Sequence, residues 1–120
     1  MTSQSVILGA HVFDALWMEL SDLLGTAATA ALLRRSCGRA ARKNPSIEPI
    51  EIRREGLAYT YQLPDAWRDP AHPRGLQTLK AIVVELCPLL TDLTDQVVIR
   101  RLRAAPLLAE SGLFSEVPLK

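Results

Sequence analysis

A long run of regularly spaced apolar residues, from Gly75 to Leu102, constrains the fold of this chain more than any other feature. Its members recur at alternating intervals of three and four residues: Leu76, Leu79, Val83, Leu86, Leu90, Leu93 and Val97. That spacing keeps one side of a helix apolar over several turns, and such a side must be buried. Because Pro88 cannot donate a helical hydrogen bond, we expect a kink or break near Cys87-Pro88. The prediction is two helices, about Gly75–Cys87 and about Thr91–Ala104.

The N-terminal third predicts two further helices, separated at Gly25. From about Leu8 to Leu24 the apolar residues follow helical spacing: Phe13, Leu16, Trp17, Leu20 and Leu24. Gly25-Thr26 joins a residue that closes helices to one that can cap the next, which favours a break or sharp bend over one continuous helix. The alanine-rich second helix should run from Thr26 to about Lys43 and end before Asn44-Pro45.

The next segment predicts a β-hairpin. Polar and apolar residues alternate in Ile50–Arg53 and again in Leu57–Leu63, with Arg54-Glu55-Gly56 as a tight turn between them. Leu57, Tyr59, Tyr61 and Leu63 should share one face, and Ala58, Thr60 and Gln62 the other. A lone two-stranded hairpin is marginal in water, so it must pack on helices or pair with a second hairpin across a dimer.

These elements predict an α+β fold, a mostly helical single domain with the order helix, helix, β-hairpin, helix, helix. A chain of 120 residues suits one core. We therefore expect one domain over residues 1–120, with flexible ends at 1–5 and 115–120. The tail is apolar enough to dock on the body or on a second subunit, through Leu113, Phe114, Val117 and Leu119.

Composition and charge exclude several classes of protein. The net charge of +1 argues against bulk binding of polyanions. No stretch approaches the ~18 uninterrupted apolar residues of a membrane span, and the N-terminus lacks the positive region of a secretory signal. Cys37 and Cys87 lie on apolar helical faces, where a free cysteine packs as a small hydrophobe. A cytoplasmic protein without a membrane partner is the expectation.

The sequence carries no signature of an enzyme, a metal site or a cofactor site. It contains neither of the common Gly-rich phosphate loops, and its only histidines are His11 and His72. Asp65, Asp69 and His72 share one loop and could meet a metal, although aspartate and histidine are ordinary loop residues. We therefore predict no catalytic residues, no metal and no cofactor.

The surplus of apolar faces in so small a chain indicates a non-enzymatic protein-interaction or regulatory module. We expect it to self-associate, most simply as a homodimer, or to dock on a larger protein through its apolar helix and hairpin surfaces. Four aromatic residues are the predicted partner-binding anchors: Trp17, Tyr59, Tyr61 and Trp67.

Two other functions stay open. The first is a small nucleic-acid-binding regulator, whose basic face would lie near the end of the second helix and consist of Arg34, Arg35, Arg39, Arg42 and Lys43. The alternative, purely structural explanation is that these arginines interact favourably with the negative end of the helix dipole. The second alternative is a small-ligand sensor with a pocket between hairpin and helices, closed by the loop Pro64–Arg74.

Overall fold

Two helices precede the hairpin and further helices follow it, as the sequence predicts. The computed structural model describes residues 8–45, 47, 50–68 and 74–114. In chain order the elements are α1 (Gly9–Leu24), α2 (Thr26–Lys43), β1 (Glu51–Glu55), β2 (Ala58–Gln62), a 3₁₀ turn (Asp65–Arg68), α3 (Arg74–Thr94), α4 (Val97–Ala104) and α5 (Pro106–Ser111).

The predicted break between the first two helices is confirmed at Gly25. This residue has φ 86°, a conformation that side chains with a Cβ rarely adopt. Its N–H still donates to the Ser21 carbonyl at 2.8 Å, while its own carbonyl accepts from the Thr29 N–H at 3.1 Å. One glycine therefore ends α1 and begins α2 with no linker, which forces the two helices to change direction within a single residue.

The predicted break at Cys87-Pro88, with helices of about Gly75–Cys87 and Thr91–Ala104, is wrong, because α3 continues through the proline as far as Thr94. A kink, the other expectation at this proline, stays a prediction. Pro88 and Val84, four residues earlier, are both exposed. The carbonyl deprived of its partner thus lies on the outer side of the helix, where water can hydrate it. The helical run is interrupted instead at Asp95, whose φ is 56°, a left-handed conformation that aspartate tolerates better than most residues.

The core is centred on α1, which packs against α2, α3, α4, α5 and the 3₁₀ turn. The apolar stripe of α3 faces this core, and its fully covered members are Leu79, Val83, Leu86 and Leu90. The last two predicted members, Leu93 and Val97, are exposed. Because the left-handed residue at 95 changes the direction of the chain, α4 buries a new set in their place: Val98, Ile99 and Leu102.

The first turns of α1 and α3 approach each other backbone to backbone at Gly9 and Gly75. A Cβ added to Gly9 would lie 2.9 Å from the carbonyl carbon and the Cα of Gly75. A Cβ added to Gly75 would lie 2.9 Å from Cγ of Trp67. Side chains at either position would separate these elements, so the two glycines let an indole ring and two helix backbones share one small space.

The hairpin has the predicted strands and a two-residue turn at Gly56-Leu57, one residue later than predicted. Glu55 pairs with Ala58, and the antiparallel register continues to Glu51 opposite Gln62. Gly56 has φ 61°, as the first central residue of a type II′ turn requires. The face toward the helices carries buried Ile52 and half-buried Tyr59 and Tyr61, whereas the opposite face is exposed.

Part of the apolar C-terminal tail packs on the body of the protein. Leu113 and Phe114 are buried, as is Leu108 in α5. Val117, Leu119 and the predicted flexible ends lie outside the described residues. None of the helices within residues 8–45 and 74–114 has the length and apolar character needed to cross a membrane.

Candidate functional site

Four aromatic rings fill the space between the hairpin and α1. Tyr61 reaches across from β2, with its ring centroid 4.7 Å from that of Phe13 and 4.8 Å from that of Trp17. Trp67 approaches Phe13 edge to face at 6.4 Å. Both tryptophans, predicted as partner anchors, are covered by this chain. Only Tyr59 and Tyr61 remain partly exposed. The loop Pro64–Arg74, predicted to close a ligand pocket beside the hairpin, lies partly outside the described residues, at 69–73.

Tyr61 is fixed to α1 at its polar end. Its hydroxyl donates a hydrogen bond to Oδ1 of Asp14. Burial, and then the hydrogen bond to Asp14 and its negative charge, raises the pKa of the Tyr61 hydroxyl, while Arg68 opposes the shift. The phenol thus stays protonated and keeps donating, which holds β2 at a fixed position above α1.

Arg34 of α2 binds a main-chain carbonyl on the outer edge of β1. In an antiparallel pair with a two-residue turn, residues alternate between those bonded to the partner strand and those whose N–H and C=O point away from it. Counting from the Glu55–Ala58 pair, Ile52 is of the second kind. Its carbonyl accepts from the Arg34 guanidinium, at 3.0 Å from Nε and 2.6 Å from Nη2. One of the outward main-chain groups of β1, the Ile52 carbonyl, is therefore engaged.

The outer edge of β2 has no such cover. The same alternation points the N–H and C=O groups of Tyr59 and Tyr61 away from β1. Within the described part of the chain the sheet has two strands only, and no residue there hydrogen-bonds to these four main-chain groups. An unpaired strand edge is a template on which another extended chain can add.

The two strands also differ in charge. β1 carries four charged side chains, Glu51, Arg53, Arg54 and Glu55, whereas β2 (Ala58–Gln62) carries none. Charged residues are a common protection of exposed edges against unwanted pairing. The hairpin therefore combines a charged edge, whose Ile52 carbonyl is bound by Arg34, with an uncharged edge at which no described residue hydrogen-bonds to the outward main-chain groups.

Of the five residues predicted to bind nucleic acid, the structure brings three together. Arg39, Arg42 and Lys43 line a groove between α2 and α3, together with Glu85 of α3. Lys43 forms an ion pair with Glu85 at 2.7 Å, and only 7% of Glu85 is exposed. Arg34 instead faces the hairpin. Both Arg34 and Arg35 are exposed on α2.

No described residues form a metal site. Within 8–45, 47, 50–68 and 74–114, no three His, Cys, Asp or Glu side chains come close enough together to hold an ion. His11 and Asp65 are exposed. Asp69 and His72, considered as ligands from the sequence, lie outside the described residues.

The two thiols are poor nucleophiles. Burial raises the pKa of Cys37 from 9.0 to about 11. Burial likewise raises that of Cys87 to about 11, with nearby Arg103 opposing the shift. Because the thiolate is the reactive form, these shifts favour a structural role in the α2 and α3 faces.

The raised pKa values predict slow labelling of native Cys37 and Cys87 by a maleimide or iodoacetamide at pH 8. Two pKa units reduce the thiolate fraction about 100-fold, so we expect labelling at least about 100-fold slower than in the unfolded chain. The unfolded chain also releases these protons first, so stability should fall as pH rises from 9.0 toward about 11.

The matched control for the labelling is Ala41→Cys, which adds a thiol at an exposed position of α2. That thiol should react at nearly its unfolded rate while the other two remain protected. Labelling of Cys37 or Cys87 within tenfold of the unfolded rate would contradict their placement on buried faces.

Sequence reasoning missed Arg34 and Asp14 as residues that position the hairpin. The alternation of the strands indicates that the Ile52 carbonyl faces outward, but not which side chain meets it. Arg34 lies 18 positions from Ile52, and Asp14 lies 47 positions from Tyr61. Both contacts therefore depend on the packing of α1 and α2.

This chain matches no family model, no curated protein and no solved structure in comparisons with each.

Proposed function

We propose that this protein is a non-enzymatic interaction module that self-associates through the outer edge of β2. Two copies would join their hairpins into one four-stranded antiparallel sheet across a two-fold axis. The observation that carries this proposal is the uncharged edge of β2, where Tyr59 and Tyr61 present main-chain groups that no described residue satisfies. A second copy has the same unpaired N–H and C=O groups on its own β2. Each copy can therefore bond to the other, and the contact is self-complementary.

The positions of the outward main-chain groups select one register. With the two-fold axis at Thr60, Tyr59 of each copy faces Tyr61 of the partner subunit, and each such pair exchanges two hydrogen bonds. All outward groups of Tyr59 and Tyr61 are then used, in four hydrogen bonds. Moving the axis to Tyr59 or Tyr61 leaves only two of these bonds within the strands, so Thr60 is the favoured centre.

The same register also gives an exposed leucine an apolar neighbour. Leu57 is 94% exposed in the hairpin turn. With the axis at Thr60, it lies opposite Leu63 of the partner subunit. A cross-strand pair of tyrosines lies beside this leucine pair on the face toward the helices, and such pairs stabilise sheets.

Introducing a positive or a negative charge at residue 60 tests both the interface and its register. Thr60→Lys places two lysines opposite each other across the axis, and Thr60→Glu does the same with two glutamates. Each variant should dimerise about fivefold more weakly than the wild type, since repulsion between facing like charges costs up to about 1 kcal/mol. An equimolar mixture should restore association as a heterodimer. Sedimentation equilibrium over a concentration series measures the dimer dissociation constants of the wild type, the two variants and their mixture.

The matched controls are Gln62→Lys and Gln62→Glu on the same exposed face. In this register residue 62 faces Ala58 of the partner subunit, so like charges do not meet and dimerisation should stay near the wild-type value. A wild-type protein that is monomeric into the high micromolar range would overturn the proposal. A dimer indifferent to charge at residue 60 would overturn this interface.

The other functions rank lower for physical reasons. Arg34 and Lys43, two of the five cations predicted to contact nucleic acid, are occupied by the Ile52 carbonyl and by Glu85. The ligand sensor has less room between the hairpin and α1, because aromatic rings pack together there, and the loop predicted to close its pocket lies partly outside the described residues. Docking of the β2 edge on a strand of a larger protein would use the same main-chain groups, and such a complex would compete with the dimer.

A further inference from the structure

We infer that Arg34 limits the self-association of this chain to a closed pair by blocking the outer edge of β1. This inference rests on the proposed pairing of β2 edges. A hairpin has two outer edges, and if both could pair, each copy would join one neighbour through β2 and another through β1. Such alternating contacts do not close, and they build an open-ended sheet. A finite dimer therefore requires that one edge be unable to pair.

The geometry at Ile52 supplies that block. A carbonyl oxygen has two lone pairs, and the Arg34 guanidinium donates two N–H groups to this one atom, at 3.0 and 2.6 Å. No acceptor capacity remains for the N–H of an incoming strand. The guanidinium lies at the edge where such a strand would pair, so the strand would have to break both of its charge-assisted hydrogen bonds to the carbonyl.

The other charges of β1 give weaker protection than this contact. Glu51 and Arg53 pair with each other on the exposed face, with 54% and 64% of their side chains accessible. Side chains this exposed can move aside at little cost when another strand approaches. Arg34 is exposed as well, but it differs because two of its N–H groups hold a main-chain carbonyl of the edge itself.

Removing the guanidinium should therefore convert the dimer into larger assemblies. We expect Arg34→Gln to form species beyond the dimer whose size increases with protein concentration, measured by sedimentation velocity and multi-angle light scattering. The matched control is Arg35→Gln, which removes the same charge from the adjacent exposed position of α2 and should keep the wild-type distribution. Circular dichroism establishes that each variant is folded at the temperature used.

A second substitution separates edge pairing from aggregation through unfolding. Arg54 is exposed, and its N–H points away from β2 by the same alternation. Arg54→Pro thus removes no bond between the strands but places a ring, and no donor, on the outer edge. The double variant Arg34→Gln/Arg54→Pro should return to the dimer. Assemblies formed by unfolded chains would persist in it, and their persistence would overturn the inference.

The outcomes distinguish this inference from the proposal beneath it. A wild-type dimer with larger Arg34→Gln assemblies supports both. A dimer for both proteins leaves β2 pairing in place and overturns the role of Arg34. A monomeric wild type with an associating Arg34→Gln variant overturns β2 pairing but retains the block at β1. Monomers throughout overturn both.

Discussion

Replacing Trp67 with alanine should lower the free energy of unfolding by about 3–5 kcal/mol, the range measured for deleting large aromatic side chains from protein cores. Trp67 is 1% exposed and connects the 3₁₀ turn to α1 and α3. It stacks edge to face on Phe13 and covers the Gly75 backbone, leaving no room for a Cβ there. Since domains of this size are stable by about 5–15 kcal/mol, the loss is a large fraction of the total.

The unfolding of the variant should be followed by circular dichroism in urea, because the substitution removes one of the two tryptophan fluorophores. Trp67→Phe is the matched control. It keeps a ring against Phe13 and removes Nε1, which is buried without a partner among the described residues. Eliminating an unsatisfied donor offsets part of the lost contact, so Trp67→Phe should cost less than half as much.

A cost below about 1 kcal/mol for Trp67→Ala would show that the ring is peripheral. In that case Trp67 would again be available as a partner anchor. The sequence could not settle this choice, because a tryptophan after a strand suits a core and an interface equally well.

The helices and the hairpin were predictable because their signals are local. Gly25 ends a helix through its own backbone freedom, and alternation in Leu57–Leu63 assigns faces to the strand before any tertiary contact is known. The described bounds of α1 and α2 agree with those predicted to within about one residue, because glycine and the residue before a proline are strong signals for the end of a helix.

The break between α3 and α4 was predicted at the wrong residue. The destabilisation that a proline causes inside a helix depends on whether water can reach the carbonyl that it leaves without a donor. Pro88 lies on an exposed side, where water can hydrate the carbonyl that the proline leaves without a donor. Asp95, the residue at which the helical run is interrupted, gives no comparable signal, because aspartate occurs in many conformations. A local rule therefore identified a candidate break without knowing which side of the helix would be covered.

The candidate interaction site was predictable only in part. Tyr59 and Tyr61 follow from the alternating pattern, but the difference between the two strand edges does not. It depends on Arg34 reaching a carbonyl 18 positions along the chain, and the basic pattern of α2 predicted another role for that residue. Side chains that act on a distant main-chain group leave no periodic trace in a sequence.

Substituting Gly9 with alanine should destabilise the fold by about 1–3 kcal/mol, the usual cost of forcing an extra group into a close-packed region. The new Cβ would lie 2.9 Å from two backbone atoms of Gly75 and 3.2 Å from the Leu76 nitrogen. Backbone inside a helix cannot rotate away as a long side chain can. The first turns of α1 and α3 would therefore separate, which loosens the contact of Trp67 with both.

Gly38→Ala provides the matched control, since it makes the same chemical change in the middle of α2. A Cβ there meets no atom within 4 Å. Alanine also loses less backbone entropy in a helix, so this variant should gain about 0.5–1 kcal/mol. Urea unfolding of the two variants should give shifts of opposite sign. If both glycine substitutions stabilise the protein, α1 and α3 are farther apart at their first turns than the Gly9–Gly75 contact requires, and the position of the indole between them would be wrong as well.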